Sequence, residues 1–452
     1  MTDIPARSVA VIGFGRFGRL WTSILRDDCD LMVYDSASAN REDAAEQGFS
    51  SVPLYTALAA SVIFYCVPIS AFESTLREHA LYFANLEGTR TLIDTLSVKV
   101  HPRDVFDRHL PERYDALLTH PMFGPDSVAV GGLAGQVIVL DPYRMSDAAF
   151  AAWQEYFESK GLTVVVMAAD DHDRLAAESQ GVTHFVGRTL ERFGFAPTPI
   201  DTLGTKKLHE ITAQVTNDTQ QLFVDLQTRN PYTSAMRVRL SQAQDSVFDQ
   251  LLPNRVVTDR LVVGIQGGRG SFNEEAARHY MHHSDDGPVQ LVYLHTTERV
   301  LRALHEGSVD RGQFAIHNSV GGMVGESVAA MARYRFDIAE EFEIKISHAL
   351  MMSSTTDPDS VDTVMTHPQV LAQCRTTLAN KYPNLFQTSG EGDLIDHAKV
   401  AELIASGELA PNIATMGSSV LANIYGLRVI EDNLQDLGEN FTSFLWVQRP
   451  GT

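Results

Sequence analysis

The stretch Ser8-Val9-Ala10-Val11-Ile12-Gly13-Phe14-Gly15-Arg16-Phe17-Gly18 decides the fold of the first half of this chain. Five largely apolar residues lead into the pattern G-x-G-x-x-G, and a helical pattern follows at once. In this setting the first glycine allows a tight turn, the second lets backbone amides approach a pyrophosphate, and the third allows close packing of helix on strand. We therefore predict a dinucleotide site that consists of Gly13, Phe14, Gly15, Arg16, Phe17 and Gly18.

An acidic residue after the second strand pattern indicates which dinucleotide binds. Asp35 closes the run DLMVYD, about 20 residues beyond the first glycine. A carboxylate there accepts hydrogen bonds from ribose hydroxyls and repels a 2′-phosphate, so we predict NAD as the cofactor. Arg41 follows a few residues later and keeps NADP open as the alternative. Val67 and Pro68, which end the next strand pattern, are assigned to the same site.

Three segments with different patterns predict three domains. Over residues 1–168, Val- and Ile-rich runs alternate with helical patterns, which predicts an α/β domain with a doubly wound parallel sheet of the Rossmann type. Over residues 169–255 only helical spacing remains, so we expect an all-helical domain for dimerisation and substrate contact. Strand patterns return over residues 256–452, which predicts a third, α/β domain. The boundary falls near the break Pro253-Asn254.

The composition limits where this protein works and what it binds. The 452 residues are 44% hydrophobic and 21% charged, with a formal net charge of -21. This negative balance opposes binding to nucleic acid and to anionic lipid. Three separated cysteines indicate a reducing compartment, residues 1–10 lack a secretory pattern, and no apolar run reaches about 18 residues. We expect a cytoplasmic protein that binds a small molecule, with no nucleic-acid, membrane or metal partner.

Two short motifs follow the later strand patterns, at the edge of the sheet where such folds bind ligands. They are Asp94-Thr95-Leu96-Ser97-Val98-Lys99 and Thr119-His120-Pro121-Met122-Phe123-Gly124-Pro125. Residues 172–187 then read H-D-R-x-A-A-x-S-Q-x-x-T-H-x-x-G. With the glycine motif, these ordered motifs resemble the prephenate and arogenate dehydrogenases, above all the plant arogenate enzymes, over roughly the first half of the chain.

The resemblance implies oxidation of the ring hydroxyl of prephenate or arogenate, with loss of the ring carboxylate as CO2, in tyrosine biosynthesis. Such a step needs a base for the hydroxyl proton and exact positioning of the ring. His120 matches the family's catalytic histidine, and an imidazole has a suitable pKa for the task. Ser97 matches the serine that orients the same hydroxyl. A modified prephenate, such as an amino-deoxy analogue in specialised metabolism, is the alternative substrate.

The helical segment contributes further candidate residues. Gln180 and His184 stand four residues apart, which places them on one helix face, and they match family positions that touch the substrate. We interpret Asp173 as a helix-start carboxylate and Arg174 as a member of an exposed ion pair. Four basic residues are candidates, by charge alone, for binding the side-chain carboxylate of the substrate: Lys206, Lys207, Arg237 and Arg239.

The second half resembles the prephenate dehydratases, which fold as two α/β lobes, like periplasmic binding proteins, with the site in the cleft between the lobes. The matching motifs are GIQGGRGSFNEEAA from Gly264, THPQVLAQC from Thr366 and NFTSF from Asn440. The resemblance implies that Thr442 is the proton donor of a dehydration. It also implies that the substrate contacts are Asn318, Thr366 and Gln373.

Two departures from the dehydratase pattern change the charge expected in that cleft. His317 replaces the glutamate of P-I-E-N-S, and Ser443 replaces the arginine of T-R-F. Because both halves would also consume one substrate, we favour a binding or regulatory role for the cleft, with a bifunctional dehydrogenase and dehydratase as the alternative. The sequence up to Thr452 leaves no room for the ACT regulatory domain of such dehydratases, so we expect no phenylalanine feedback through one.

Overall fold

The computed structural model of this chain describes residues 8–252, 255–282 and 287–451, with the backbone alone at 392–393. Within these ranges the chain forms two compact units, Met1–Ala243 and Gln244–Thr452, which we call unit 1 and unit 2. The predicted break at Pro253-Asn254 lies outside the described residues, as do residues 1–7 and Thr452. The three domain boundaries given above therefore stay a prediction. Among the described helices, none is both long and apolar enough to cross a bilayer.

A single large sheet organises the first part of unit 1. Its strands are β1 Ser8–Ile12, β2 Asp30–Tyr34, β3 Ser50–Ser51, β4 Val62–Tyr65, β5 Thr91–Asp94, β6 Asp115–Pro121, β7 Val137–Arg144 and β8 Thr163–Val166. They lie in the order β3-β2-β1-β4-β5-β6-β7-β8. The first six strands are parallel and show the order 3-2-1-4-5-6 of dinucleotide-binding domains, which reverses between β1 and β4. The predicted fold class is confirmed.

One strand of this sheet departs from the expected parallel arrangement. β7 runs antiparallel to β6, and β8 is parallel to β7. Mixed sheets of this kind commonly carry such strands toward one edge. The consequence for function is that β6 keeps a partner on both sides, so its carboxyl end, where His120 lies, is held rigidly against Val139 of β7.

Helices cover both faces of the sheet, as the alternating patterns require. They are α1 Arg16–Leu25, α2 Ser38–Glu46, α3 Leu54–Leu58, α4 Ile69–Phe83, α5 Val100–His109, α6 Pro125–Gly131 and α7 Asp147–Ser159. Strand residues alternate between two apolar clusters, so Ala10 and Ile63 face one layer of helices while Val11 and Phe64 face the other. Burial on both faces explains why the central strands read as continuous apolar runs.

The rest of unit 1 is helical, as predicted. The helices are α8 Ala169–Ala176, a π-helical turn Ala177–Gly181, α9 Val182–Phe193, α10 Leu203–Asn217, α11 Gln220–Arg229 and α12 Thr233–Gln250, which runs on into unit 2. α9 and α10 pack closely because Gly187 has no side chain: a Cβ there would lie 2.2 Å from Cγ2 of Val215. This contact fixes the direction of α9, and α9 carries His184.

Unit 2 contains two sheets, which correspond to the two expected lobes. The strands are β9 Leu261–Ile265, β10 Val289–Tyr293, β11 Arg311–Asn318, β12 Gly322–Met323, β13 Asp337–Lys345, β14 Ala349–Ser353, β15 Thr363–Met365, β16 Phe386–Thr388, β17 Ile413–Gly417, β18 Leu427–Glu431 and β19 Phe441–Gln448. One sheet has the order β10-β9-β11-β19-β13, with β12 paired to β11, and the other has the order β16-β15-β17-β14-β18. The chain thus leaves the first sheet after β13 and returns to it with β19.

The helices of unit 2 connect these strands. They are α13 Phe272–Met281, α14 Thr297–His305, α15 Gly325–Met331, α16 Pro368–Gln373, α17 Arg375–Lys381, α18 His397–Ser406 and α19 Val420–Tyr425. Each sheet packs its helices around its own apolar cluster, one that includes Val300 and Phe314 and another that includes Met351 and Val400. Two separate cores leave a cavity between the lobes of this unit, and several predicted residues line it.

Candidate functional sites

The glycine turn after β1 has the geometry of a dinucleotide site. Gly13 has φ +98, and a Cβ there would lie 2.4 Å from the carbonyl oxygen of Cys66 and 3.3 Å from Val67. A Cβ on Gly18 would lie 2.1 Å from the carbonyl oxygen of Gly13, so that glycine lets α1 pack against the turn. A Cβ on Gly15, in contrast, would meet nothing within 4 Å. The open space at Gly15, in front of the N-terminus of α1, is where a pyrophosphate would approach.

The other residues of the turn contribute mainly through their backbones. Phe14 is fully buried and packs edge-on against Phe49, while Phe17 stacks on Trp21 with ring centroids 5.7 Å apart. Arg16 turns away from the turn and forms two hydrogen bonds with Asp126, of 2.8 and 2.9 Å. These side chains hold the turn in shape. Pro68 is exposed and precedes the first residue of α4.

Asp35 stands at the end of β2, where the second strand pattern predicted it. One carboxylate oxygen accepts from the backbone N–H of Phe14 at 2.7 Å, and the other accepts from Ala37 at 2.8 Å. The carboxylate therefore ties β2 to the glycine turn. Arg41 donates to the carbonyl oxygens of Asp35, at 2.6 Å, and of Ser36, at 2.9 Å, so its guanidinium also lies at this edge.

His120 is the end of a buried chain of hydrogen-bonded side chains. Its Nδ1 lies 2.8 Å from Nε2 of His172, and Nδ1 of His172 lies 2.8 Å from Oδ1 of Asp173. All three residues are nearly or fully buried. The Asp173 carboxylate also accepts from the backbone N–H groups of Lys99, at 2.7 Å, and Val100, at 2.9 Å. These four hydrogen bonds fix the side chains of His120, His172 and Asp173 in one arrangement.

This geometry assigns a tautomer to His120. A carboxylate can only accept, so Nδ1 of His172 carries the proton toward Asp173, and Nε2 of His172 is an acceptor. Nδ1 of His120 must then donate, which leaves Nε2 with a lone pair, and Nε2 has no hydrogen-bond partner among the described residues. Burial lowers the pKa of His120 well below its usual range, and the neighbouring His172 and Lys99 act in the same direction. The side chain is therefore a neutral base at physiological pH.

The interpretation of Asp173 as a helix-start carboxylate was wrong in one respect: the side chain is fully buried in the site. Its partners, the amides that begin α5, are more than seventy residues away in sequence. Arg174 behaves as predicted, in an exposed ion pair with Asp171 at 3.2 Å. His172 was not predicted as a site residue, although the motif H-D-R contains it.

Ser97 lies in the loop whose backbone N–H group at Lys99 donates to Asp173, behind His172 and His120. The run 92–99 is buried except at Ser97, which is partly exposed. The ammonium group of Lys99 bonds to the carboxylate of Asp94 and to the carbonyl oxygen of Thr119, next to His120 in sequence. Because Lys99 joins the loop to β6, the hydroxyl of Ser97 and the imidazole of His120 belong to neighbouring strand ends of the same edge of the sheet.

Gln180 and His184 lie where the helices change from π to α geometry. Gln180 is in the π-helical turn, and His184 follows in α9. Within the described part of the chain, Oε1 of Gln180 and Nδ1 of His184 are buried without a hydrogen-bond partner. π-helical turns are frequent at functional sites, and a buried polar atom without a partner is one that a ligand can satisfy.

A group of charges surrounds His184 and was not expected from the sequence. Burial lowers the pKa of His184 and raises that of Asp218, and each opposes the other's shift. Arg188 donates to the carbonyl oxygen of Asp218 at 2.6 Å, and Arg16 lies 3.8 Å from its carboxylate. Asp218 therefore links the glycine turn to the helical part of unit 1.

The four basic residues considered for the substrate carboxylate are occupied or remote. Arg237 is held by the backbone and side-chain oxygens of Gln227, at 2.6 and 2.9 Å. Arg239 pairs with Glu178 on the surface, and Lys206 and Lys207 are exposed. Among the described residues, none of the four forms a hydrogen bond or an ion pair with Asp173, His172 or His120.

The cavity in unit 2 has a volume of about 950 Å³ and is lined by Asn318 and Thr442, two of the predicted residues. Asn318 and Thr442 are direct partners across β11 and β19. Nδ2 of Asn318 donates to Oγ1 of Thr442 at 2.9 Å and to Oδ1 of Asn440 at 2.8 Å. The antiparallel register thus brings together two motifs that are more than a hundred residues apart in sequence.

Two further predicted residues have different positions. Gln373 lines the cavity, and its Oε1 accepts from Nδ2 of Asn440 at 3.1 Å and lies 2.6 Å from Nε2 of His348. Thr366 does not line it: its side chain is fully buried, and its hydroxyl donates to the carbonyl oxygen of Met416 at 2.6 Å. The adjacent His367 lines the cavity instead.

The two departures from the dehydratase pattern lie on the other face of the sheet. His317 and Ser443 are cross-strand partners, one position away from the pair that faces the cavity. A bulge at Ile316 sets this alternation, and successive side chains of a strand point to opposite faces. His317 is exposed, while Ser443 donates to Glu343 at 2.7 Å. The expectation that these substitutions change the charge of the cleft directly was therefore wrong.

Comparison with known proteins places each half of the chain. The model of the prephenate dehydrogenase nucleotide-binding domain matches residues 23–166, that of the prephenate dehydratase family matches residues 263–452, and that of the TYRAAT1-like C-terminal domain matches residues 189–259. Arogenate dehydratase 2 of Petunia hybrida is 30% identical over 197 residues, which are 43% of this chain and 47% of that protein.

Solved structures with a similar chain path include one of each kind. Prephenate dehydrogenase from A. aeolicus, in complex with hydroxyphenyl propionate and NAD+, is 16% identical and has a TM-score of 0.45 over 54% of this chain and 90% of that one. Prephenate dehydratase from Arthrobacter aurescens, in complex with L-Phe, is 24% identical and has a TM-score of 0.38 over 42% of this chain and 61% of that one.

A plant enzyme provides the decisive match. Arogenate dehydrogenase 2 of Arabidopsis thaliana, a chloroplastic protein, is 34% identical over 256 residues, which cover 54% of this chain and 70% of that protein. Arogenate dehydrogenase 1 of the same plant is 32% identical, but the chain spans only 40% of its length. On the first of these matches and on the nucleotide-binding domain, the chain belongs to the prephenate and arogenate dehydrogenase family, with a prephenate dehydratase domain in its second half.

Proposed function

We propose that unit 1 catalyses the oxidative decarboxylation of prephenate or arogenate with a nicotinamide cofactor, as a step of tyrosine biosynthesis. One observation carries the proposal: the buried chain Asp173–His172–His120 delivers an unprotonated imidazole nitrogen to the same sheet edge as the open glycine turn. The bound nicotinamide would supply the hydride acceptor at this edge, and the turn leaves room for its pyrophosphate at Gly15.

The residues of unit 1 would then handle one proton and hold the ring. Nε2 of His120 takes the proton of the ring hydroxyl while the hydrogen on the same carbon leaves with its electron pair as hydride, so that a carbonyl forms. The bond to the ring carboxylate breaks, CO2 departs, and the electron pair of that bond makes the ring aromatic as the oxygen regains a proton. Ser97 orients the hydroxyl, and Gln180 and His184 hold the substrate through their unpaired polar atoms.

Product analysis with the purified chain tests this proposal. The protein is mixed with prephenate and, separately, with arogenate, each with NAD or NADP, and the products are identified by mass spectrometry. Formation of hydroxyphenylpyruvate or tyrosine, in step with reduction of the cofactor, supports the proposal. If neither compound forms with either cofactor, or if an amino-deoxy analogue of prephenate is turned over in place of prephenate and arogenate, the assigned substrate is wrong.

We propose NAD rather than NADP as the physiological cofactor. The carboxylate of Asp35 faces the end of β2 and is fixed there by two backbone N–H groups, so it cannot swing away from a 2′-phosphate. Arg41 is held by two carbonyl oxygens at the same edge. The ratio of kcat/KM for the two cofactors measures the choice. If NADP is preferred and Arg41→Gln removes the preference, Arg41 and not Asp35 sets the specificity.

For the cavity of unit 2 we propose a ligand-binding role that is accessory to the dehydrogenase. The alternative is a working dehydratase, and one observation favours it: Thr442 and Asn318 remain bonded to each other on the cavity wall. Formation of phenylpyruvate by the purified chain without NAD decides between the two. Its appearance, and its loss in Thr442→Ala with NAD reduction intact, would establish the bifunctional enzyme.

We propose that the protein works as a homodimer through the helical residues 169–255. Three large apolar side chains at the end of α9 and the start of α10 are strongly exposed: Phe193 by 80%, Ile200 by 88% and Leu203 by 72%. Exposed apolar side chains of this size mark surfaces that pack against a partner, and burial of this surface would offset the repulsion between two copies that each carry a formal net charge of -21. Light scattering should show a dimer, and Ile200→Lys with Leu203→Lys should shift it toward the monomer.

A further inference from the structure

The cavity of unit 2 is lined mainly by groups that are neutral at physiological pH. Four histidines line it, and burial lowers the pKa of three of them: His348, His367 and, to about 4, His397. Among the lining residues, the formal charges are those of Asp396 and Lys399. The described residues contain no group of three side chains arranged to hold a metal ion. A ligand with two carboxylates and no cationic group of its own would therefore gain little charge compensation in this cavity.

His348 offers the cavity a hydrogen-bond acceptor. Its Nε2 lies 2.6 Å from Oε1 of Gln373, and that oxygen also accepts from Asn440. Since an amide oxygen only accepts, Nε2 of His348 carries the proton and Nδ1 has the lone pair. The residue is 2% exposed, and Nδ1 has no hydrogen-bond partner in the described part of the chain. A buried acceptor left unsatisfied lowers the stability of the protein, and a donor on a ligand would recover that loss.

Asp396 places a carboxylate at the same cavity. Its Oδ1 accepts from the backbone N–H of Ala398 at 2.9 Å and caps α18, while Oδ2 lies 3.3 Å from the place that a Cβ on Gly268 would take. The missing side chain of Gly268 keeps this face of the carboxylate open. His295 lies 3.6 Å from the same point and has φ 66, a strained conformation for a residue with a side chain. No ion pair of Asp396 occurs among the described residues.

His397 completes this acceptor-rich end of the cavity. Both of its ring nitrogens are buried without a partner among the described residues. The ring fits because residue 417 is glycine: a Cβ on Gly417 would lie 2.5 Å from Cδ2 of His397. Asp396, His348 and His367 all act electrostatically on His397, which shows that the four groups share one end of the cavity. A neutral imidazole supplies one further acceptor and one donor.

We propose that this cavity binds an α-amino acid and selects it over the corresponding α-keto acid through the ammonium group. An ammonium has three donors and a positive charge, and it would satisfy Asp396, Nδ1 of His348 and the acceptor of His397. His367 is placed to meet the carboxylate, because its Nδ1 accepts from Gln369 at 3.2 Å and its Nε2 therefore carries a proton.

The remaining lining suits a bulky six-membered ring as the side chain of that amino acid. Its apolar part includes Phe272, Ile346, Val370, Ile395 and Phe444. Such ligands include arogenate and the aromatic amino acids made from it. The inference rests on the proposed function only in taking its candidate ligands from the substrates and products of unit 1.

Calorimetric titration of the full chain tests the inference. The protein carries His120→Asn and no NAD is added, so that unit 1 does not oxidise the ligand. It is titrated with L-phenylalanine, L-tyrosine and L-arogenate and with the matching keto acids phenylpyruvate, hydroxyphenylpyruvate and prephenate, and the products are checked after each titration. At least one amino acid should bind about tenfold more tightly than its keto acid, since a hydrogen-bonded charge is lost with the ammonium. Equal or tighter binding of every keto acid overturns the inference.

A second variant locates the binding in unit 2. Asp396→Asn should weaken the amino acid about tenfold and leave the keto acid unchanged, and asparagine still caps α18. The matched control is Asp359→Asn, an exposed carboxylate of the same unit, which should change nothing. Amino-acid binding that survives Asp396→Asn unchanged contradicts the proposal. The dehydrogenase proposal fails separately, by a lack of NAD reduction in the unmodified chain.

Discussion

Replacing Asp173 with asparagine removes one acceptor from the chain behind His120 while keeping the shape of the side chain. Three donors converge on the native carboxylate: the N–H groups of Lys99 and Val100 and Nδ1–H of His172. An asparagine has one oxygen and one NH2 group in the same places. Since the two backbone donors cannot reverse, each orientation of the amide must set donor against donor at one position.

The two orientations have different costs. If the amide oxygen faces Lys99 and His172, the NH2 group opposes the N–H of Val100, and the tautomer of His120 survives at a cost in stability of about 1–3 kcal/mol. If the amide is reversed, His172 must accept at Nδ1 and donate at Nε2. His120 then accepts at Nδ1 and carries its proton on Nε2, so the base is lost. A lost general base lowers the rate by about 10²–10⁴.

We therefore expect Asp173→Asn to lower kcat by about 10² or more, with little change in the affinity for NAD. Initial rates of NAD reduction measure kcat, and fluorescence quenching measures NAD binding. Thermal unfolding separates the stability cost from the catalytic one. The control is Asp171→Asn on the same helix, an exposed carboxylate paired with Arg174, which should keep full activity. If Asp173→Asn retains kcat within about threefold, the tautomer argument is refuted.

Three further predictions concern the turn, the base and the second unit. Gly15→Ala should raise the KM for NAD at least about tenfold and leave the Tm unchanged, because the new Cβ fills the open space where the pyrophosphate would lie. Gly18→Ala should instead lower the Tm, because the new Cβ would lie 2.1 Å from a carbonyl oxygen. Equal effects of both on stability would contradict this. Burial lowers the pKa of His120 well below its usual range, so the base stays unprotonated and kcat/KM should stay level as the pH falls through 6.5. A half-maximal kcat/KM at pH 6.5 or above speaks against His120. Thr442→Ala should leave NAD reduction unchanged, and a loss larger than about twofold would show that unit 2 takes part in it.

Much of unit 1 could be predicted because its evidence is local in sequence. The glycine turn, the strand before it and Asp35 all follow from spacing, and the structure joins them through the bond between Asp35 and Phe14. His120 could be recognised because it ends a strand within an ordered motif. These features depend on backbone geometry that a few neighbouring residues determine.

What could not be predicted depends on contacts between distant segments. The sequence around Asp173 indicates an ordinary helix-start carboxylate. The burial of its side chain could not be predicted, because it arises only when α8 packs against the amides that begin α5. The direction of β7 is likewise set by pairing in the sheet and not by its own composition. A pattern of helical spacing also cannot show that residues 177–181 form a π-helical turn.

The bulge in β11 shows why a motif alone misplaced His317 of unit 2. A perfect alternation through A-I-H-N-S would put residues 315 and 317 on one face. The extra residue Ile316 reverses this, so Ala315 and Asn318 line the cavity and His317 faces away. A register irregularity of this kind arises from the pairing of β11 with β19, and the motif A-I-H-N-S does not indicate it.

We propose that Nε2 of His120 removes the proton of the ring hydroxyl as the hydride leaves. The most direct test is the single-turnover rate of NAD reduction in His120→Asn, measured with saturating NAD and substrate and with NAD binding checked in parallel. If His120 is the base, the rate is lower by a factor of about 10² or more and NAD binding is unchanged. A variant that reduces NAD as fast as the native protein, on whichever substrate the native protein uses, would contradict it.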